Sequence, residues 1–252
     1  MSQTKQIGFS QRIQLAWLEQ TAALLLAGKN KEDIQAALHD LLQDKLSKDS
    51  DARWGNRGKA VTILLNTWVS VPSAIKGLRD NGLELWRTLP LQDHLPLHWG
   101  MSMAAYPFFG AVAETTGRLL QLQGTVAAAQ VQRRLREQFG ERETVARAGR
   151  RILRSFVDWG VLQDTAEKGV YQAGPVKIIR DPELAAWLIE ATLIASDSQS
   201  KPLQVIIQSP ILFPFSISLP SSSQLEQNDR LELFRQGLDT DMVSLRNHVA
   251  LM

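Results

Sequence analysis

The chain has 252 residues, enough for one large or two to three small domains around a sizeable buried core. With 44% hydrophobic, 21% charged and 7% aromatic residues, it falls in the globular range and outside the disordered, collagenous and membrane classes. Lys and Arg total 28 against 26 Asp and Glu, a net charge of +2 that by itself predicts no attraction for nucleic acid or acidic membranes, and the absence of cysteine excludes disulfides, thiolate catalysis and cysteine-ligated zinc or iron–sulfur sites. The opening stretch MSQTKQIGFSQRIQ lacks the apolar core of a signal peptide. The longest nearly uncharged apolar stretch, 101–113, is shorter than the ~20 residues that span a bilayer and contains Pro107. A cytoplasmic protein with no transmembrane segment is expected.

In chain order, Ile13, Leu15, Ala16, Leu18, Ala22, Leu25 and Leu26 recur at helical spacing over 12–27, with Gly28 as the stop. Asn30 caps a second helix whose apolar stripe runs Ile34, Ala37, Leu38, Leu41 and Leu42 and ends near Leu46. A third helix over 57–69 turns Val61, Leu64, Leu65 and Trp68 inward. Val71–Pro72–Ser73 ends it and caps a fourth, carrying Ile75, Leu78 and Leu83. The stretch LPLQDHLPLHW (89–99), with two prolines, predicts a loop and a boundary that closes a helical unit over 1–98.

A second unit, 99–176, reads as three helices and a hairpin. The first helix runs from Pro107 to Leu122 and is closed by Gly124, after which Thr125 caps the next. That second helix buries Ala128, Val131, Leu135 and Phe139 and stops at Gly140. The third, over 142–159, buries Val145, Ala148, Ile152, Leu153 and Phe156 and stops at Gly160. Val161–Leu162, a turn at Lys168–Gly169 and Val170–Tyr171 then form a short β-hairpin. From 177 to 252 a small α+β region is expected. Asp181–Pro182 opens a helix to about Ala195 with Leu184, Trp187 and Leu188 on one face, and SDSQSKP is a loop. The segments 203–208 and 211–219 have strand bias, with Pro214 confining the second to an edge or bulge; SSSQ is a turn, and 230–247 is a hairpin or a short helix. The fold class is mainly α with small β.

Charge counted by segment differs from the whole-chain balance. Between Arg118 and Arg154 there are nine arginines and three glutamates, a net +6, leaving −4 for the remainder. The local field, not the sum, attracts phosphates. At ~100° per residue, with Val145 at zero, Ala148, Ile152 and Phe156 lie within about 60°, whereas Arg147 and Arg154 fall at roughly 180–200° flanked by Arg150 and Arg151. Gly149, at about 40°, faces inward, where a missing side chain lets a neighbouring helix approach. The outward face of the third helix is the one that enters a major groove in helix-turn-helix proteins. Arg133, Arg134 and Arg136 are then placed against the flanking backbone, and Lys168 against an adjacent groove. The same face also fits an acidic protein partner or a plain solvated surface, since Glu143 and Arg147 form an i,i+4 pair that needs no ligand.

Other candidates carry less. Pro96 between His94 and His98 argues against a helical metal pair, no third ligand is evident, and both read as loop residues. Gly55-Asn-Arg-Gly58-Lys59-Ala60 lacks the G-x4-G-K-[ST] spacing and a preceding strand and reads as a helix start, where Arg53, Arg57 and Lys59 offer a secondary phosphate contact. The seven tryptophans sit at mostly helical positions and read as core anchors. No catalytic arrangement of Ser/His/Asp, paired acids or a glycine-rich loop has its required context, so neither an enzyme nor a cofactor is expected.

Residues Pro107 to Tyr171 resemble winged helix-turn-helix DNA-binding domains. The stretch LLLAGKNKEDIQAALHDLLQDKLSKDSDARWGNRGKAVTIL, with the later winged-helix-like unit, is similar to BrxA-type accessory proteins of the BREX phage-defence systems. That resemblance covers 12–162 and leaves the C-terminal 90 residues unmatched. It implies a small, non-enzymatic, double-stranded-DNA-binding component beside larger enzymes of a bacterial defence locus. The alternatives are an assembly adaptor whose winged helix docks a protein partner, and a transcription regulator. Phosphate grip by Arg133, Arg134, Arg147, Arg150, Arg151 and Arg154 predicts a slope of log K on log salt of about −5.

Overall fold

The computed structural model describes residues 7–46, 55–218, 225, 228–237 and 240–246. Four helices open it: α1 (Leu15–Leu26), α2 (Lys31–Leu41), α3 (Asn56–Trp68) and α4 (Lys76–Thr88). The local signals act as expected at several of their ends. Asn30 accepts a hydrogen bond from the Asp33 amide at 2.8 Å, and Val61, Leu64, Leu65 and Trp68 are buried. Ser73 does not cap α4. A 3-10 turn, Ser73–Ile75, intervenes, and α4 starts at Lys76 without a side-chain cap.

The expected loop at 89–99 is replaced by a 3-10 turn, Leu91–Asp93, and a central helix, α5 (Leu95–Ala105). Pro96 sits in its first turn, where the missing N–H has no helical acceptor to lose. Nine consecutive residues, Leu95 to Met103, are buried. A helix buried on every side shows no amphipathic stripe, so its periodicity is invisible in sequence. α5 packs against α1, α3, α4 and two further helices, α6 (Pro107–Gln123) and α9 (Pro182–Ala195). Gly100 is required there. A Cβ on it would run into the Trp187 ring of α9, whose indole N–H donates to Leu78 O at 2.9 Å. One hydrophobic cluster runs from Phe9 to Val243, so position 98 lies inside a shared core.

Beyond α6 come β1 (Thr125–Ala127), α7 (Ala128–Phe139), α8 (Glu143–Asp158), β2 (Leu162–Asp164) and β3 (Val170–Ala173). Gly124 closes α6 in the left-handed region at φ 74°, but Thr125 enters a strand and does not cap α7. Instead Gln130 Oε1 accepts from the Ala127 amide at 3.2 Å. The three strands form an antiparallel sheet in the order β1-β3-β2, pairing Val126 with Tyr171 and Asp164 with Tyr171. Three residues carry too little alternation to reveal β1. α7 and α8 meet closely at Gly149, where a Cβ would stand 2.8 Å from Leu135 Cδ1.

In the last region α9 follows β4 (Lys177–Ile179) and is capped by Asp181, which accepts from the Leu184 amide at 2.8 Å. It is buried continuously from Leu184 to Leu193, not on one face as expected. The stretch expected as a loop contributes β5 (Ser200–Pro202), and the expected strand at 203–208 is a short helix, α10 (Leu203–Ile207). Leu203 and Ile206 are buried while Val205 is 56% exposed, which is helical spacing and not the alternation of a strand. The segment 211–219 divides into a 3-10 turn, Pro210–Leu212, and β6 (Phe215–Ile217), parallel to β4. The terminal segment takes the hairpin alternative: β7 (Leu231–Gln236) pairs with β8 (Thr240–Leu245), which also pairs with β5. The expected SSSQ turn lies outside the described residues. No helix among the described residues is long and apolar enough to cross a membrane.

Candidate nucleic-acid interface

α8 is amphipathic as its sequence predicts. Val145, Ala148, Ile152, Leu153 and Phe156 are buried, and Arg147, Arg150 and Arg154 form an outward stripe at i, i+3 and i+7. Arg150 Nη2 lies 3.0 Å from Glu143 Oε1, and Arg154 Nη1 lies 3.0 Å from Asp164 Oδ1 on β2. Arg147 has no ion-pair or hydrogen-bond partner among the described residues; the predicted Glu143–Arg147 pair is replaced by Glu143–Arg150. On α7, Arg133 and Arg134 share Glu137 at 3.9 and 3.5 Å, and Arg136 lies 3.8 Å from Glu141. These are exposed pairs, each worth at most about 1 kcal/mol, so a phosphate can displace the carboxylate. Lys168 is exposed at the β2–β3 turn beside Glu167, with Asp164 nearby on β2, so the turn as a whole is acidic.

Arg151 has a different task. Its Nη1 donates to the Ser10 carbonyl at 2.6 Å, which withdraws it from the outward stripe. Burial, then the neighbouring Arg147 charge, pushes the Arg151 guanidinium below its ordinary value. Three more links fasten the same N-terminal segment along this flank. The Ile13 amide donates to Ser155 Oγ at 2.8 Å, Trp159 Nε1 donates to Ile13 O at 2.9 Å, and Arg12 Nη2 meets Asp158 Oδ1 at 2.5 Å. The hydrogen bond and charge of Asp158 raise the Arg12 pKa despite partial burial. Phe9 and Ile13 are wholly buried, so the segment is part of the core. Helical periodicity places Arg151 only at the edge of the outward face and cannot show what lies over that edge.

Arg57 and Lys59 lie in the first turns of α3, which Gly55 opens without a side-chain cap. Arg57 Nε is buried with no hydrogen-bond partner among the described residues, and Lys59 is exposed. Arg53 lies outside the described residues.

Sequence reasoning missed a buried polar cluster on α5. His94 precedes the helix and His98 is its fourth residue, bonded through its amide to His94 O at 3.1 Å, so the pair is in helical register and not in a loop. Both rings meet Glu19 of α1: His94 Nδ1 and His98 Nε2 each lie 3.0 Å from Oε1, and Trp86 Nε1 donates to Oε2 at 3.0 Å. The His98 Nε2 approach is off the ideal hydrogen-bond direction. Trp68 Nε1 donates to His98 Nδ1 at 3.0 Å. An indole nitrogen only donates, so Nδ1 presents its lone pair and Nε2 carries the hydrogen. Nε2 is then not free to ligate a metal, and the donor set suits a structural network. Burial by itself pushes the Glu19 carboxyl up, but hydrogen bonds and charges from His98 and His94 outweigh it and hold it below the ordinary carboxylate value; burial lowers His98, against the pull of Glu19. A separate cleft of about 490 Å³ is lined by Glu84, Glu183, Trp187 and the Glu190–Arg230 ion pair, which closes at 2.5 Å.

Comparison with protein-family models, curated proteins and solved structures finds no significant match to this chain.

Proposed function

We propose that the chain is a non-enzymatic, double-stranded-DNA-binding protein whose 107–173 region is a winged helix-turn-helix. What supports the reading of the fold is connectivity: helix, short strand, two helices meeting at a tight turn, then a hairpin, with the first strand on the outer side of the sheet. The observation that carries the reading of function is the stripe of Arg147, Arg150 and Arg154 on the solvent side of α8, the second helix of that turn. Arg133, Arg134 and Arg136 on α7 supply flanking phosphate contacts, and the acidic turn around Lys168 gives the hairpin a lesser part. The similarity to BrxA-type proteins extends the proposal to an accessory component of a bacterial phage-defence system.

With Arg151 engaged by Ser10, Arg133, Arg134, Arg147, Arg150 and Arg154 remain of the six grip residues. They predict a salt slope of about −4.5, steeper where further cations join. Fluorescence anisotropy on random and mixed-sequence duplexes between 50 and 200 mM salt measures it. A slope near zero, or no binding at low salt, overturns the proposal. Arg147→Glu with Arg154→Glu is expected to abolish binding and leave the circular dichroism spectrum unchanged, because both side chains point outward.

A second reading, an assembly adaptor, is favoured by the carboxylates interleaved with the arginines at Glu137, Glu141, Glu143 and Asp164, which give the face the mixed charge of a protein-docking surface. Co-purification of a partner that survives nuclease treatment selects it over DNA binding.

A further inference from the structure

The N-terminal segment does more than cover one flank of α8. Ser10 O accepts from Arg151 of α8, and the side chain of the next residue, Gln11, donates through Nε2 to Asn56 Oδ1, the first residue of α3, at 3.1 Å. Consecutive Cα atoms are ~3.8 Å apart. The start of α3 and the middle of α8, about 95 residues apart in sequence, are thus fastened to adjacent points of one segment. Gln11 is 4% exposed and Phe9 is fully buried against Tyr106 and Phe109, so the fastening is rigid.

Cations stand on both sides of this join. On α8 stand Arg147 and Arg151; on α3, Arg57 follows Asn56 directly and Lys59 lies two residues further. Asp158, the acid on this flank of α8, is neutralised by Arg12 of the segment itself. Arg147 and Arg57 Nε lack partners among the described residues. Cations gathered about one join cost the folded protein self-repulsion that a bound polyanion relieves. The sheet-side turn, by contrast, carries Glu167 beside Lys168, with Asp164 of β2 already paired to Arg154.

We infer that Arg57 and Lys59 of α3 and Arg147 of α8 form one continuous phosphate-binding surface, so that a single DNA duplex engages the helical N-terminal region and α8 together. The inference rests on the proposed DNA binding and adds its orientation: the duplex leaves α8 toward α3, not toward the β2–β3 turn. Arg151 and Gln11 are positioning residues that hold the two halves in register.

The test uses the full chain and a 16-base-pair random duplex, short enough that two independent sites would compete for it. The wild-type protein has a salt slope near −6, from five arginines plus Arg57 and Lys59 at about 0.9 each. Arg57→Gln with Lys59→Gln lowers the slope to about −4.5 and weakens binding roughly 60-fold at 0.1 M salt. Lys59→Gln alone, at an exposed position, lowers the slope by about 0.9 and guards against misfolding of the double variant. Arg147→Gln lowers it by the same amount, and Lys168→Gln leaves it unchanged. If Arg147→Gln weakens binding while both α3 variants match wild type, the continuous surface is overturned and α8 binding survives. If Arg147→Gln is also without effect, the α8 reading fails. Two duplexes bound per chain at saturation likewise overturns the single surface.

Discussion

α5, of 11 residues, and α8, of 16, are put to opposite uses. α5 is buried on nearly every side, packs against α1, α3, α4, α6 and α9 and reaches Phe156 of α8 through Trp99; α8 buries one face and presents arginines on the other. The difference teaches where change is tolerated. Substitution in α5 is expected to show as lost stability, and on the outer face of α8 as loss of the proposed DNA binding with the fold intact.

The largest effect that would sharpen this contrast is at Trp99 of α5, fully buried among Phe109, Phe156, Trp159, Phe213 and Phe215 with its N–H on Ile211 O. Trp99→Ala is expected to cost about 4 kcal/mol in urea denaturation; a loss under ~1 kcal/mol would mean that α5 is not the hub. Glu19→Ala ranks next, at about 3 kcal/mol, since it strips an acceptor from Trp86, His94 and His98 at once.

The same cluster gives stability a pH dependence of defined sign. The folded state holds His98 below its ordinary value of 6.5, so as pH falls through 6.5 the unfolded chain takes up a proton that the folded chain refuses, and stability declines. Glu19, depressed below 4.5, contributes stability that is full above that pH and is lost as pH falls through its lower folded value. Both therefore act in one direction, by at most ~1.4 kcal/mol per pH unit for each proton. Urea midpoints from pH 8 to 4 are expected to fall with acid, and less so in His98→Gln; identical profiles would remove His98 from the account.

Smaller still is Arg151→Ala, expected to cost about 1 kcal/mol and to raise hydrogen exchange at residues 9–13, because it frees the Ser10 carbonyl. At the end of the series, Arg147→Ala is expected to change stability by less than ~0.5 kcal/mol. A larger loss there would break the comparison, since it would give the outer face of α8 a structural duty.

The contrast also explains what the sequence could reveal. Amphipathic helices announce both their existence and their orientation, so α3, α7 and α8 and the inward faces of Val61, Val131 and Ile152 were legible from spacing alone. Helices buried all round do not, and prolines at positions 90 and 96 completed the disguise of α5 as a loop, although one stands before the helix and the other in its first turn. In α10 the run LQVII was apolar enough to pass for a strand, and only the burial of Leu203 and Ile206 separates the periods. The basic stripe was readable because it is local. The Ser10–Arg151, Gln11–Asn56 and Glu19–His98 links were not, because they join residues 45 to 141 positions apart that carry no shared local pattern.

The fastening of residues 9–13 to α8 has a consequence for the order of folding. Its hydrogen bonds span 141 to 146 residues, so loop closure must precede any return from them. A chain emerging in sequence order leaves Ser10 and Ile13 without their full set of partners until residue 159 has been made. The arginine helix and the segment that orients it therefore mature together, and the surface that carries Arg147 acquires its final setting only after two thirds of the protein exists.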